Sequence, residues 1–125
     1  MMEKHPDHTT TFEYPDERYW VKVGNTVVAD SINVVLLKEV SPKGTYPPVP
    51  YFPLEDVLQE LLTKTDLQTY CPLKGDASYY TLTAEGQTLE NAVWYYPEPY
   101  DYVKEIDGCV AFYPDKVSIE IVDET

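Results

Sequence analysis

Histidine, arginine and glycine are scarce in this chain, and each scarcity removes a class of function. The only histidines, His5 and His8, sit at the very start, so no imidazole lies in the body of the chain to act as a general base. Together with Asp7 they could meet a divalent ion, but ligands on a flexible segment carry a large ordering cost, and no metal site is expected there. Arg18 is the only arginine, and 9 basic against 22 acidic side chains give a formal net charge of -13. Such a surface repels a phosphate backbone and excludes nucleic acid as a partner. Cysteine is limited to Cys71 and Cys109, which are expected to be reduced and buried. The longest apolar run, Asn33 to Leu37 with its flanks, is far shorter than the roughly 20 residues that cross a bilayer. Met1 to Thr11 has no apolar core of a secretory signal, so a cytoplasmic location is expected.

What is present describes a globular protein. At 125 residues, with 43% apolar and 25% charged side chains, the chain can bury a core without a disulfide or a metal. Residues 1–17 are polar, carry Pro6 and Pro15 and show no periodic pattern, which predicts a loosely held arm. Residues 18–125 then form a single β domain with no internal repeat.

Three hairpins are expected. Tyr19–Val23 and Thr26–Ser31 flank Gly24-Asn25, so Val21 should face Val28 and share a buried side with Val23. Ala77–Ala84 and Gln87–Tyr96 flank Glu85-Gly86, which sets Leu82 opposite Leu89, Tyr80 opposite Asn91 and Ala77 opposite Trp94. Cys109–Tyr113 and Lys116–Val122 join at Pro114-Asp115, with Val117, Ile119 and Ile121 alternating toward one face. Another strand runs from Asn33 to Val40. The prolines between Ser41 and Pro50 predict an irregular surface loop. Leu58, Leu61 and Leu62, following Pro53 and the acids Glu55 and Asp56, predict a short helix over 54–62. Thr63–Gly75 reads as turns, and a helical turn is expected around Tyr102–Ile106. The fold class is therefore mainly β: a curled sheet or small open barrel of two antiparallel sheets with one or two short helices.

Five blocks stand out together. They are Val28-Ala29-Asp30-Ser31, Tyr51 to Val57, Thr69 to Tyr80, Asn91-Ala92-Val93-Trp94 and Gly108 to Asp115. In order and spacing they resemble the family called domain of unknown function 427, over nearly everything from Tyr19 to Val122. The resemblance implies a β-tent type of fold, in which two antiparallel sheets lean together around a cleft. It also implies a label that mentions nucleotidyl transfer. Phosphoryl transfer needs a phosphate cradle and a metal-holding set of carboxylates, and the sequence has neither a glycine-rich loop nor a D-x-D pair. Tyr80 stands where the family often has tryptophan, and Leu73 where it often has tyrosine. Relatives of this fold hold zinc with paired CxxC motifs; here Cys71 and Cys109 stand alone, so no such zinc, and no cofactor, is expected.

The chemistry-bearing candidates gather around one turn. Cys71-Pro72-Leu73-Lys74 reads as a β-turn that brings a thiol near an ammonium, the condition for an activated cysteine, although free cysteine more often behaves as a small buried side chain, here beside a solvated or ion-paired lysine. Lys74 also reads as an anion clamp, with Glu55 or Asp56 as its partner; the same two acids suit a helix start without any function. The chain is rich in tyrosine, and buried hydroxyls need partners, so Tyr80, with Asn91 on the same face, and Tyr113 are placed at the border of a wet or ligand-filled cleft. The expected site is thus Glu55, Asp56, Cys71, Lys74, Tyr80, Asn91 and Tyr113, binding a small molecule. An enzyme using Cys71 or Lys74 as nucleophile with Glu55 moving protons, and an adaptor that offers exposed tyrosines to another protein, are the alternatives.

Overall fold

The structure, a computed structural model, describes residues 9–41 and 44–123. His5 and His8 lie outside these residues. Eleven strands are formed among them: β1 (Thr9–Glu13), β2 (Arg18–Val23), β3 (Thr26–Ser31), β4 (Val35–Ser41), β5 (Gly44–Thr45), β6 (Val49–Pro53), β7 (Leu62–Cys71), β8 (Gly75–Ala84), β9 (Gln87–Tyr95), β10 (Cys109–Phe112) and β11 (Ser118–Val122). They make two antiparallel sheets and no closed barrel. The large sheet has the order β1-β4-β6-β10-β9-β8-β7, with β5 added on β4; the small one has the order β11-β2-β3.

Two cores follow from the alternation of side chains across the large sheet. Between the sheets, Val21 and Val28 of the small sheet meet Phe52, Leu82, Val93, Val110 and Phe112 of the large one. On the other face of the large sheet, Leu37, Tyr51, Tyr79 and Ala111 are covered by Val103 and Ile106 from the 3-10 segment Asp101–Ile106. β10 shows the logic in four residues: Val110 and Phe112 enter the first core, Cys109 and Ala111 the second, and all four are buried. A strand covered on both faces is expected to be apolar throughout. The rings in the first core meet edge to face, with Phe52 5.6 Å from Phe112 and 6.4 Å from Tyr19.

Several expectations from the sequence are corrected. Within the segment expected as a loose arm, Thr9–Glu13 pairs along β4 from Val40 to Leu36. The proline-rich stretch after Ser41 is not wholly irregular, because β5 and the start of β6 fall within it and Pro50 pairs with Leu36. No α-helix spans 54–62; two single 3-10 turns, Leu54–Asp56 and Gln59–Leu61, stand there. The reason lies in where the backbone donors go. Leu58 N–H donates to Val28 O at 2.8 Å, Val57 bridges to Ala29, and Leu62 already pairs with Leu82 on β8. Strand partners on both sides take the donors that a helix would have turned inward, and tertiary pairing overrides the leucine spacing.

Thr63–Cys71 is strand rather than turn, polar because β7 is the edge of the large sheet and needs no two-sided apolar pattern. β10 and β11 do not pair with each other. After Pro114 the chain crosses to the other sheet, where Ser118–Val122 pairs with β2. The first two hairpins form, each with a bulge. Val21 pairs with Ala29 rather than Val28, and Tyr80 pairs with Val93 rather than Asn91, because Asn91 takes a left-handed backbone (φ 51°) that inserts extra residues in β9. Trp94 accordingly faces Tyr79 and not Ala77.

Phe52 is fully buried at the meeting of both sheets. Phe52→Ala should cost about 3–5 kcal/mol, the range for deleting a large aromatic from a packed core. Urea unfolding of the two proteins, compared at equal slope, measures it.

Candidate functional site

The large sheet is nearly cut in two. Only Cys109↔Pro53 and Val110↔Phe52 join β10 to β6, and beyond them the two strands make no further pairs. Pro50 has no N–H to offer a ladder, so the lip formed by β6 cannot zip onto β10. The gap opens into a cleft of about 910 Å³. Val49 and Pro50 come from one lip, Trp94 and Phe112 from the other, and Tyr19, Ile119 and Ile121 of the small sheet close a third side. Tyr46, Pro47 and Pro48 form the mouth. The wall is apolar apart from Cys71, the Lys74–Glu39 pair and the tyrosine hydroxyls.

Lys74 is held there by backbone geometry. The expected β-turn forms, with Lys74 N–H donating to Cys71 O at 3.1 Å. Tyr100 N–H in turn donates to Lys74 O at 3.0 Å, which ties the turn to the connection before the 3-10 segment. Gly75 follows at φ +116°, and a Cβ there would stand 3.2 Å from Glu98 O, so only glycine lets the chain pass this close. The lysine is 7% exposed, and its Nζ donates to Glu39 Oε1 at 2.7 Å. An ion pair this enclosed holds only if both charges stay matched.

Glu39 is the residue that sequence reasoning missed. Val35, Leu37 and Glu39 alternate along β4, and the row of buried side chains ends in a carboxylate directed at the cleft. The period-two pattern was the available signal. Beside the pair, Trp94 Nε1–H donates to Tyr51 Oη at 3.2 Å, and the two rings meet edge to face at 6.3 Å. Burial, followed by the Glu39 and Cys71 charges, raises the Tyr51 phenol well above its usual range. Burial and the surrounding Tyr51, Cys71, Tyr79 and Glu39 groups do the same to Tyr96.

The seven expected site residues do not converge. Cys71 and Lys74 line the cleft. Tyr113 packs on Trp94 with ring centroids 4.5 Å apart, and its phenol is pushed up to about 12, first by burial and then by Tyr79. Glu55 and Asp56 do not face Lys74; Asp56 accepts from Ser31 Oγ at 2.7 Å, tying the turn after β6 to β3. Tyr80 stacks on Tyr95 at 4.8 Å and borders a separate hollow of about 210 Å³ with Cys109 and Asp107. Asn91 serves its bulge, accepting from Thr65 Oγ1 at 2.7 Å while its N–H donates to Thr81 Oγ1 at 3.3 Å. Both cysteines are free thiols. Burial, with Asp107, Glu55 and Asp56 nearby, pushes the Cys109 thiol up to about 11, which leaves it unreactive.

A family model described as Domain of unknown function (DUF427) matches residues 11–123, and the chain belongs to that family. No curated protein matches the chain.

Two outcomes test this geometry. Lys74→Met should destabilise the protein by about 3 kcal/mol, the low end for removing one partner of a buried pair, since Glu39 keeps some exposure. Lys74→Met with Glu39→Leu should recover most of that loss in the same denaturation assay. Because Tyr51 and Tyr96 have raised folded-state values, their contribution to stability is complete below the ordinary tyrosine value of 10.0 and is lost as the pH rises beyond it. The Cys109 thiol is raised as well, so urea midpoints should begin to fall above the ordinary thiol value of 9.0 and fall further by pH 11.5, and the 295 nm absorbance of the buried phenols should rise only with unfolding.

Proposed function

We propose, for this member of the family, that the cleft beside Lys74 and Glu39 binds a small organic molecule with an apolar or aromatic body. One observation carries the reading: a hollow of about 910 Å³, within the range typical of ligand sites, is apolar on nearly every side yet keeps a matched ion pair in its wall. The half-buried indole of Trp94 offers an aromatic surface to the body of the ligand, and Lys74 with Glu39 offers its polar end a partner. Concave shape also favours a small molecule over a protein partner, for which a broad exposed apolar patch would be expected.

A second reading draws on Cys71, the one thiol among the described residues that lines the cleft. As a nucleophile it would attack an electrophilic ligand held against Trp94. The ammonium of Lys74 is engaged by Glu39, which leaves the thiol as the better candidate of the two for attack.

The binding reading is tested by native mass spectrometry of freshly purified protein, followed by a fragment screen read by ligand-observed NMR and thermal shift. Retained or bound molecules are expected, and Ile121→Trp, which fills the cleft from an already exposed position on its third side, should abolish their binding with the fold intact. Absence of any binder that the plug displaces would sink it. Iodoacetamide at pH 6 separates the second reading: rapid, stoichiometric modification of Cys71 is expected of a nucleophile, and a labelling rate no faster than that of free cysteine rules it out.

A further inference from the structure

The lysine in the cleft wall has more hydrogen-bonding capacity than its partner uses. An ammonium carries three N–H donors. Among the described residues, Lys74 Nζ spends one of them on Glu39 Oε1 at 2.7 Å. At 7% exposure the group is largely withdrawn from bulk water, and it stands at the edge of an otherwise apolar hollow. Whatever occupies that hollow is therefore placed to supply an acceptor.

The charge of that acceptor is decided by Glu39. The charge of Lys74 is already matched by Glu39, so an anionic ligand would bring a second negative charge beside the carboxylate of Glu39. The surroundings are apolar, where solvent and salt screen poorly. The ligand would also have to shed its own hydration, and it would do so in a chain of net charge -13. The charge of Glu39 already reaches across this region, since it contributes to the raised values of the Tyr51 and Tyr96 phenols. A neutral carbonyl oxygen meets none of these costs. A carboxamide gains further, because its oxygen can accept from Lys74 while its own N–H donates to Glu39.

Building on the proposed small-molecule reading, we infer that the cleft selects uncharged ligands bearing a carbonyl-type acceptor on an aromatic or branched apolar body, and that Glu39 is the residue that rejects the corresponding carboxylates and phosphates. Lys74 supplies the attraction and Glu39 the discrimination, a division in which specificity comes from a repulsive element as much as from an attractive one. A nucleotide, with its clustered negative charges, is the kind of ligand this arrangement turns away.

Matched probes that differ only in charge test the inference: 2-naphthamide against 2-naphthoate, and indole-3-carboxamide against indole-3-carboxylate, titrated calorimetrically at pH 7.5 where both acids are ionised. The wild-type protein should bind each amide at least about tenfold more tightly than its acid, a modest result for a like-charge contact in a poorly screened site. In Glu39→Gln, whose amide oxygen still accepts from Lys74, binding of the acids should rise by about tenfold or more while the amides change little. Lys74→Met should weaken the amides. Equal or tighter binding of the acids by the wild type overturns the inference, as does a Glu39→Gln protein that keeps the wild-type ratio; in both cases the small-molecule reading stands. Failure of all four probes to bind also overturns the stated ligand class, whereas the small-molecule reading itself falls only if the screen and the Ile121 plug find no binder.

Discussion

Two residue pairs, Cys109↔Pro53 and Val110↔Phe52, hold the halves of the large sheet together, and the cleft exists because they are so few. Had β6 and β10 zipped along their whole lengths, Val49, Pro50, Phe112 and Trp94 would stand in one continuous surface. The joint is brief because proline occupies β6, and it survives because Phe52 and Val110 are anchored in the first core on one face while Cys109 is buried in the second on the other. A closed ladder on one side and an open cleft on the other are consequences of the same strand.

The opening is edged by an ion pair rather than by more side-chain packing. Replacing such a pair by well-fitting apolar groups is often neutral or stabilising, so stability alone does not account for Lys74 and Glu39. The glycine at 75 and the hydrogen bond from Tyr100 fix the lysine backbone, and the alternation of β4 delivers the carboxylate; two separate parts of the chain converge on one contact 35 positions apart in sequence. Such convergence fixes the position of the contact whatever its net energy.

Much of the fold was legible along the chain. β-Branched and aromatic residues at period two located most strands, Gly24-Asn25 and Glu85-Gly86 marked two hairpins, and Cys71-Pro72-Leu73-Lys74 marked the turn that carries the lysine. Failures occurred where a distant partner outweighed a local preference. The leucines of 54–62 have helical spacing, but Val28, Ala29 and Leu82 take their backbone into strand-like pairing. Thr63–Cys71 has the composition of turns, but an edge strand requires only a neighbour. Asn91 was expected across from Tyr80 and instead occupies a bulge, because one left-handed residue shifts the register of everything beyond it.

Charge, size, the scarcity of histidine and glycine, and the strand-forming pattern were set by the order of residues alone, since each is a property of composition or of neighbours a few positions apart. That Lys74 meets Glu39 rather than Glu55 or Asp56, that β11 joins β2 instead of β10, and that a cleft opens between Pro50 and Phe112 were decided only in three dimensions. Local patterns state which face a side chain takes; they do not state which strand arrives opposite it, and a site between strands exists only once that choice is made.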